Sequence, residues 1–306
     1  MCLNSRNLWW HYLFYGILTL EKFSRIVVGC WRLLDWQKST EELQRYISDA
    51  VDLGLTSFDH ADIYGDYQCE AAFGQALTPV LREKVQLITK CGIGLVSSAR
   101  PAHRIKHYNL SKSHIVSSVE QSLTNLRTDR IDLLMLHRPD PLMDADEVAD
   151  AFESLRKSGK VLEFGVSNFS SREFELLNDR FPLSTNQLEI SVVQPDALFS
   201  GIMELMQQLR VAPMAWSPLA GGRLFANDNE RLQSVHDTLT SLSATYSATV
   251  SSIALAWLIK HPARIYPVVG SGKTDRLREY VRAMDIQLSR QDWFAILRAS
   301  RGVDVA

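Results

Sequence analysis

Eight segments of β-type sequence alternate with amphipathic helical segments, and this alternation limits the possible folds more than any other feature. Apolar runs such as RIVVG and IDLLML are typical of strands covered on both faces, as in parallel sheets. The repeated order of strand and helix, without a boundary linker, predicts an α/β protein with a single-domain (β/α)8 TIM barrel. An open doubly wound sheet is the alternative that this count leaves open. The predicted strands are Arg25–Cys30, Thr56–His60, Lys84–Lys90, Ile131–His137, Val161–Val166, Leu183–Gln187, Ala212–Trp216 and Ile265–Val269.

Helix start and stop signals occupy the segments between these strands. Ser39 and Glu42 have the spacing of a capping box. Ser111 and Asp144 are candidate N-caps, and Gly159 is placed to end a helix in the left-handed conformation. These signals predict helices on the outside of the barrel.

Two stretches have no place in the repeat, namely Gly92–Tyr108 after the third strand and Ala220–Ser247 after the seventh. Both follow the carboxyl ends of strands, where barrel enzymes build their sites. We therefore expect both stretches to contribute to a functional site.

Charge and cysteine usage exclude several classes of protein. The formal net charge of −2 gives no general attraction to nucleic acid or to a membrane. The four cysteines form no CxxC pair and no Cys/His spacing of the structural zinc kind. We expect a cytoplasmic protein, monomeric or weakly oligomeric, that binds no metal, nucleic acid or membrane.

The N-terminal part of the chain stands apart from the repeat. Leu8–Leu20 is apolar and aromatic, but it is shorter than the roughly 20 residues that a membrane span needs. It contains His11 and lacks a small-residue cleavage site, which argues against a signal peptide. We expect residues 1–22 to form a buried hairpin or plug at the base of a barrel that spans residues 23–306. The alternative is a poorly ordered or wrongly assigned start.

Four residues with acid–base chemistry lie at or just after the ends of predicted strands. Asp59 ends the second strand, Tyr64 follows it, Lys90 ends the third, and His137 ends the fourth. Because a barrel delivers the carboxyl ends of all its strands to one rim, we expect these side chains to converge.

Together these four side chains are suited to protonating a carbonyl oxygen. A phenol has a pKa near 10, and a nearby ammonium lowers it. An aspartate keeps the lysine charged, and a histidine can bind the same oxygen. None of them supplies a hydride, so a cofactor must. The sequence thus predicts reduction of a small carbonyl compound with Tyr64 as the proton donor.

Further strand ends carry residues suited to binding that cofactor. Ser167, Asn168 and Gln187 can recognise a carboxamide, and Trp216 offers a flat face for an aromatic ring. The turn after the eighth strand, GSGKTDR, combines glycines, a hydroxyl and two cations at a helix N-terminus, which is an anion site. Its two cations suggest the extra phosphate of NADP.

Each of these residues also has an ordinary structural interpretation. Asp59 can cap a turn, and Lys90 can be a solvated residue on the rim. His137 can be a hydrogen-bonded histidine of the core, and Trp216 can simply pack at the barrel mouth. The ordered series across successive strand ends favours the joint functional interpretation.

From about Phe23 to its C-terminus, the sequence resembles the aldo/keto reductase superfamily. The segments that carry the resemblance are FDHADIYG, LITKCG, MLHRPDP, GKVLEFGVSNF, STNQLEIS, AWSPLAGGRLF and PVVGSGKTDRLRE. The helix MDADEVADAF and the GSGK turn are most similar to a bacterial branch of oxidoreductases.

The resemblance implies NADP(H) as the cofactor and Asp59, Tyr64, Lys90 and His137 as a catalytic tetrad. It also implies a larger set of residues around the cofactor. These are Gly29, Cys30 and Trp31 at the nicotinamide and substrate pocket, Ser167, Asn168 and Gln187 at the carboxamide, Trp216 on the ring, Ser217, Leu219 and Gly221 near the pyrophosphate, Ser271, Gly272, Lys273 and Arg276 at the 2′-phosphate, and Glu279 on the adenine side.

Three positions depart from the family pattern. A common threonine after the catalytic aspartate is His60, a lysine often found at the start of the last loop is Gly270, and an asparagine near the adenine site is Tyr280. The chemistry is expected to persist, but the sequence does not fix how strongly NADP is preferred over NAD.

The sequence is compatible with two other functions and with two interpretations of one loop. A redox sensor or regulatory subunit would keep NADP and turn over slowly. A metal-dependent hydrolase would use His60, Asp62, His137 and Asp140 as ligands. The basic loop Ala99–His114 is either a solvated rim segment or an active-site flap that prefers anionic substrates.

Overall fold

The computed structural model describes residues 20–226, 229–304 and 306, so most of the predicted N-terminal hairpin or plug lies outside the described residues. Eight strands pair in parallel into a closed barrel with the order β1–β10–β9–β8–β7–β6–β3–β2, and β4 and β5 form a separate antiparallel pair. The strands are β1 (Val27–Gly29), β2 (Ser57–Asp59), β3 (Gln86–Cys91), β4 (Ile93–Gly94), β5 (His107–Tyr108), β6 (Ile131–Leu136), β7 (Val161–Ser167), β8 (Asn186–Glu189), β9 (Met214–Trp216) and β10 (Tyr266–Val269). Each predicted strand overlaps one barrel strand, and the single-domain (β/α)8 prediction is confirmed.

Helices cover the outside of the barrel. The α-helices are α1 (Thr40–Asp52), α2 (Cys69–Ala76), α3 (Pro79–Arg82), α4 (Lys112–Asn125), α5 (Ala145–Lys157), α6 (Ser171–Asn178), α7 (Ile202–Leu209), α8 (Glu230–Tyr246), α9 (Val250–Ile259), α10 (Thr274–Val281) and α11 (Arg290–Arg301). Short 3-10 helices span Leu34–Trp36, Asp196–Phe199, Ala220–Phe225 and Arg282–Met284.

The predicted helix boundaries are confirmed where a cap was identified. The Ser39–Glu42 capping box forms at the start of α1, with both reciprocal hydrogen bonds present. The side chains of Ser111 and Asp144 accept first-turn N–H groups of α4 and α5. Gly159 follows α5 with φ of 71°, a conformation that costs little without a Cβ.

The two stretches without a place in the repeat form structure on the rim of the barrel. The first contains the β4–β5 hairpin, which the sequence did not predict because each strand is only two residues long. The second contains the 3-10 helix Ala220–Phe225 followed by α8. Both stretches therefore extend the rim from which strand ends project.

The inside of the barrel is filled by its own apolar cluster, distinct from the larger core between strands and helices. Leu20 and Phe23 precede β1 and belong to this inner cluster together with strand residues such as Ile88 and Met135. The Tyr266 hydroxyl donates a hydrogen bond to the carbonyl of Leu20 at 3.3 Å. These contacts close the base, so that any cavity must open at the opposite rim.

Among the described residues, no single helix has the length and apolar character to cross a membrane. One pair bent by 92°, Glu230–Tyr246 with Val250–Ile259, meets that test on length and composition alone.

Helix α2 packs against the end of α4 without room for a side chain between them. A Cβ at Gly74 would lie 2.1 Å from the carbonyl oxygen of Asn125 and 2.8 Å from the backbone of Leu126. Beside this contact the buried Glu70 accepts hydrogen bonds from Thr89 on β3, at 2.6 Å, and from Asn125, at 3.4 Å. The glycine thus permits a close approach that joins α2, α4 and β3.

Gly74→Ala should destabilise the protein by about 2 kcal/mol or more, because backbone atoms of α4 must move to admit the methyl group. Urea unfolding of the purified variant measures this loss. Gln75→Ala, exposed on the same helix, is the matched control and should change the free energy of unfolding by less than about 0.5 kcal/mol. Equal stability of the two variants would contradict the close packing.

Candidate functional site

A buried ammonium joins three of the four acid–base residues at the rim. Lys90 Nζ lies 2.8 and 2.7 Å from the two carboxylate oxygens of Asp59, and 3.1 Å from the Tyr64 hydroxyl. It also donates to the backbone carbonyl of His60 at 2.8 Å. The parallel pairing of β2 with β3 places Asp59 opposite Ile88, so Lys90 emerges one pleat further on the same face. The register of β2 against β3 therefore brings Lys90 and Asp59 into contact.

Burial sets the protonation states of this cluster. Lys90 is 1% exposed. Burial lowers the pKa of its ammonium, but the carboxylate of Asp59 and, after it, the interaction with Tyr64 outweigh that influence, so the pKa is raised and the lysine stays charged. Burial raises the pKa of the Tyr64 phenol, and Lys90 offsets this only in part because Asp59 adds a second negative charge. The sequence predicted a lowered phenol pKa, and that expectation is reversed because burial is the largest influence on Tyr64.

The His137 imidazole stands beside Tyr64 and is neutral. The two rings meet edge to face with centroids 5.8 Å apart. Burial, followed by the positive charges of Lys90, Arg138 and Lys106, holds the pKa of His137 well below its usual range. Its Nδ1 has no hydrogen-bond partner within the described part of the chain. A neutral imidazole here can hydrogen-bond to a ligand oxygen that also reaches Tyr64.

A chain of hydrogen bonds links the residues expected at the nicotinamide. Trp216 Nε1 donates to Asn168 Oδ1 at 2.9 Å, and Asn168 Nδ2 lies 2.7 Å from Ser167 Oγ. Ser167 Oγ donates in turn to the carbonyl of Gln187 at 3.0 Å. The Gln187 amide reaches the carboxylate of Asp59 at 3.1 Å. The cofactor residues and the acid–base residues therefore form one connected polar network.

Apart from Lys90, these side chains border a single cavity of about 730 Å³ at the barrel mouth, a size typical of small-molecule sites. Lys90 and Cys30 are fully buried and sit behind the cavity wall. The predicted residues that line the cavity are Gly29, Trp31, Asp59, Tyr64, His137, Ser167, Asn168, Gln187, Trp216, Ser217, Leu219 and Gly221.

The glycine-rich turn after β10 leads away from this cavity. Gly270 and Tyr280 line the cavity, whereas Ser271, Gly272, Lys273, Arg276 and Glu279 lie beyond its lining. Helix α10 starts after Lys273 without a side-chain cap, so its first N–H groups are free to face an anion. The turn thus has the properties of a phosphate site at the edge of the cavity.

Aromatic side chains hold this turn from the α1 side. The Tyr46 hydroxyl donates to the carbonyl of Ser271, and the Tyr46 ring lies 5.1 Å from that of Trp36. A Cβ at Gly272 would come within 2.4 Å of Trp36, so the turn needs a glycine at that position. The loop before α1 therefore fixes the path of the anion-binding turn.

Several lining residues were not singled out from the sequence. Among them are the cations Arg32 and Arg138, and the apolar Ile93 and Phe225. Arg138 directly follows His137 at the end of β6, and that position was the one available signal for it. Lys106, in the basic loop, also lines the cavity.

His60 sits directly after Asp59 but points away from the cavity. Its ring meets Phe73 edge to face at a centroid distance of 4.5 Å. Neither ring nitrogen has a hydrogen-bond partner among the described residues, and burial together with Lys90 lowers the pKa to about 3. Within residues 20–226, 229–304 and 306, no group of three or more His, Cys, Asp or Glu side chains is placed to hold a metal ion. The hydrolase alternative therefore lacks a ligand set there.

Removing the buried imidazole should flatten the pH dependence of stability. Between pH 6.5 and about 3 the unfolded chain protonates His60 and the folded protein does not, so acidification costs about 1.4 kcal/mol per pH unit from this one group. Between pH 7 and pH 5, wild type should lose about 2 kcal/mol more stability in urea unfolding than His60→Leu. The same loss in both proteins would mean that His60 is not buried in its neutral form.

Comparisons with known proteins give a consistent assignment. Residues 25–301 match the model of the family described as "Aldo/keto reductase family". The chain is 50% identical to the oxidoreductase YdhF of Escherichia coli and 49% identical to the uncharacterized oxidoreductase YcsN of Bacillus subtilis, over 93% of this chain and 96% of each relative. A crystal structure of an aldo/keto reductase from Klebsiella pneumoniae in complex with NADP and acetate superposes with a TM-score of 0.75 at 25% identity, covering 90% of this chain and 91% of that one.

Proposed function

The chain belongs to the aldo/keto reductase family, and we propose that it reduces a small aldehyde or ketone with NADPH, with Tyr64 as the general acid. It is an oxidoreductase acting on carbonyl and alcohol groups. One observation supports the residue assignment above all others, namely the 3.1 Å contact between the Lys90 ammonium, behind the cavity wall, and the hydroxyl of Tyr64, which lines the cavity.

The residues present fit a nicotinamide cofactor. Ser167, Asn168 and Gln187 present hydroxyl and amide groups at one wall of the cavity, and Trp216 provides an aromatic face beside them. The NADP bound to the structural relative supports the same cofactor here. When bound, NADPH supplies the hydride, and the chain's own residues supply positioning and the proton.

Proton delivery follows from the geometry of the four rim residues. Tyr64 donates its hydroxyl proton to the substrate oxygen, which would otherwise carry a negative charge. The phenolate that remains is stabilised by the ammonium of Lys90, and Asp59 keeps that ammonium charged. The neutral His137 donates a hydrogen bond to the same oxygen and fixes its approach. Each role is thus performed by a group already held in place by the fold.

Tyr64→Phe should reduce the turnover of NADPH with 4-nitrobenzaldehyde by about 10²- to 10⁴-fold, the range expected for loss of a general acid. Cofactor binding, followed by quenching of tryptophan fluorescence, should persist because the ring and its packing remain. Full activity in this variant would refute the role of Tyr64. Steady turnover by the wild type, rather than a single burst, would exclude the alternative of a redox sensor or regulatory subunit with slow turnover.

The preference for NADP is proposed to depend chiefly on Lys273. Arg276 is paired with Glu279 at 3.2 Å, so part of its charge is already matched. Within the described residues, Lys273 forms no ion pair, and it stands at the start of α10, where backbone N–H groups also favour an anion. Ser271 and Gly272 would bring the backbone close to the 2′-phosphate.

Lys273→Ala should raise the KM for NADPH by about 10-fold and leave the KM for NADH within about twofold, because only NADPH carries the phosphate that the ammonium contacts. Steady-state kinetics with both cofactors measures the ratio. Arg278→Ala is the control on the same helix, since Arg278 pairs with Asp275 at 2.7 Å. Equal changes for both cofactors would contradict the assignment.

A further inference from the structure

Two cations line the cavity on the side of His137 and take no part in the proposed proton transfer. Arg138 directly follows His137 at the end of β6. Lys106 comes from the loop after β3, next to the short strand β5. Since β3 and β6 are hydrogen-bonded neighbours in the barrel, the two loops start from adjacent positions on the rim. Both side chains border the same cavity as Tyr64 and His137.

The charges of these cations are available to a ligand. Neither Arg138 nor Lys106 forms an ion pair with any carboxylate in the part of the chain that the structure describes. The guanidinium carbon of Arg138 stands 5.6 Å from the centre of the Trp216 ring, so the guanidinium faces an aromatic ring. Both charges act on His137, since each lowers the pKa of that imidazole. Their influence therefore reaches the group that would bind the substrate oxygen.

The carboxylates on the cavity wall do not cancel these charges. Asp59 is matched by Lys90 at 2.7 Å. Asp66 also lines the cavity, but it is exposed in the turn that follows Tyr64, and within the described residues it forms no ion pair with Arg138 or Lys106. Arg32 is a third cation on the wall, but its guanidinium lies beside Gly221, a residue assigned to the cofactor pyrophosphate, since a Cβ at Gly221 would be 3.8 Å from it. Arg138 and Lys106 are therefore the two lining cations that a substrate anion could pair with.

The topology separates the strand ends that carry these two cations from the strand ends that carry the residues assigned to the cofactor phosphates, although the Arg138 guanidinium extends to 5.6 Å from the centre of the Trp216 ring. Ser217, Leu219 and Gly221 follow β9, and Lys273 follows β10. In the closed order of strands, β7 and β8 stand between β6 and β9 on one side, and β2 and β1 stand between β3 and β10 on the other. The β3–β6 side of the rim is thus the side left for the substrate.

We propose that Arg138 and Lys106 form an anion subsite for the substrate, which would be an aldehyde or ketone that carries a carboxylate or phosphate a few atoms from its carbonyl group. This inference rests on the proposed reductase function. Arg138 would be the stronger partner, because it is partly buried and offers a planar fork of donors, whereas Lys106 is exposed.

The test compares substrates that differ only in charge. Wild type, Arg138→Gln and Lys106→Gln are assayed with NADPH and either 4-carboxybenzaldehyde or its methyl ester. The ratio of kcat/KM for the acid to that for the ester should fall by about 10-fold in Arg138→Gln and by about threefold in Lys106→Gln. Arg104→Gln is the matched control, since it lies two residues from Lys106 in the same loop, is exposed, and does not line the cavity. Its ratio should equal that of wild type.

Two further measurements ask which anion the two cations bind. Glyceraldehyde 3-phosphate against glyceraldehyde tests a phosphate in place of a carboxylate. The KM for NADPH tests whether the cations serve the cofactor instead, and an increase in that KM with an unchanged acid-to-ester ratio would overturn the inference. Equal losses for acid and ester would also overturn it.

Binding measured without turnover distinguishes failure of the subsite from failure of the proposed function. Benzoate is titrated into the complex with NADP+ while tryptophan fluorescence is followed. The Kd should weaken by about 10-fold in Arg138→Gln and recover in large part in Arg138→Lys, which keeps the charge. If no aldehyde is reduced but the Kd for benzoate still weakens in Arg138→Gln, the reductase proposal fails and the anion subsite stands. An unchanged Kd would overturn the subsite.

Discussion

The site depends on one buried ion pair. Lys90 and Asp59 are 1% and 3% exposed, and charges taken out of water in this way are tolerated only when they are paired and hydrogen-bonded. The Lys90 ammonium lies within hydrogen-bonding distance of both oxygens of Asp59, the carbonyl of His60 and the hydroxyl of Tyr64. Removing Asp59 or Lys90 would leave the other charge buried and uncompensated, so the group that holds the Tyr64 hydroxyl is tied to the stability of the β2–β3 pair.

The closed barrel extends this constraint across the rim. Gln187 on β8 donates to Asp59 on β2, although three barrel strands lie between β8 and β2 in either direction around the closed sheet. Through Ser167 and Asn168 the same network reaches Trp216 on β9. The residues proposed to hold the nicotinamide are therefore oriented by the same carboxylate that orients the lysine. Binding of the cofactor and readiness of the proton donor share one set of hydrogen bonds.

Much of this arrangement was predictable because it follows from strand position. Parallel strands covered on both faces leave continuous apolar runs in the sequence, and the last residues of those strands must meet at one rim. Asp59, Lys90 and His137 were found in this way. The sequence was a weaker guide to whether a side chain at a strand end points towards the cavity or into the core. Cys30 follows β1 by one residue and turns into the core behind the cavity wall.

Loop paths and burial could not be obtained from local sequence. The β4–β5 hairpin is too short to leave a pattern, yet it places Lys106 and Tyr108 on the cavity wall. Arg138 lines the cavity with its guanidinium over the ring of Trp216, a residue 78 positions later in the chain. The pKa of Tyr64 depends on a balance between burial, which raises it, and Lys90, which lowers it, and burial is the larger influence. Each of these properties depends on tertiary packing rather than on neighbours in the chain.

Arg138 and Lys106 act both on His137, whose pKa they lower, and on the substrate anion that they are proposed to bind. Burial is the largest influence that keeps His137 neutral, and Lys90, Arg138 and Lys106 add to it. An anionic group held by Arg138 and Lys106 would cancel part of their contribution, but it would leave burial and Lys90 in place. His137 would then remain a neutral donor while the substrate anion is bound, since the dominant cause is untouched. The proposed subsite can thus select charge without changing the protonation state that the reaction uses.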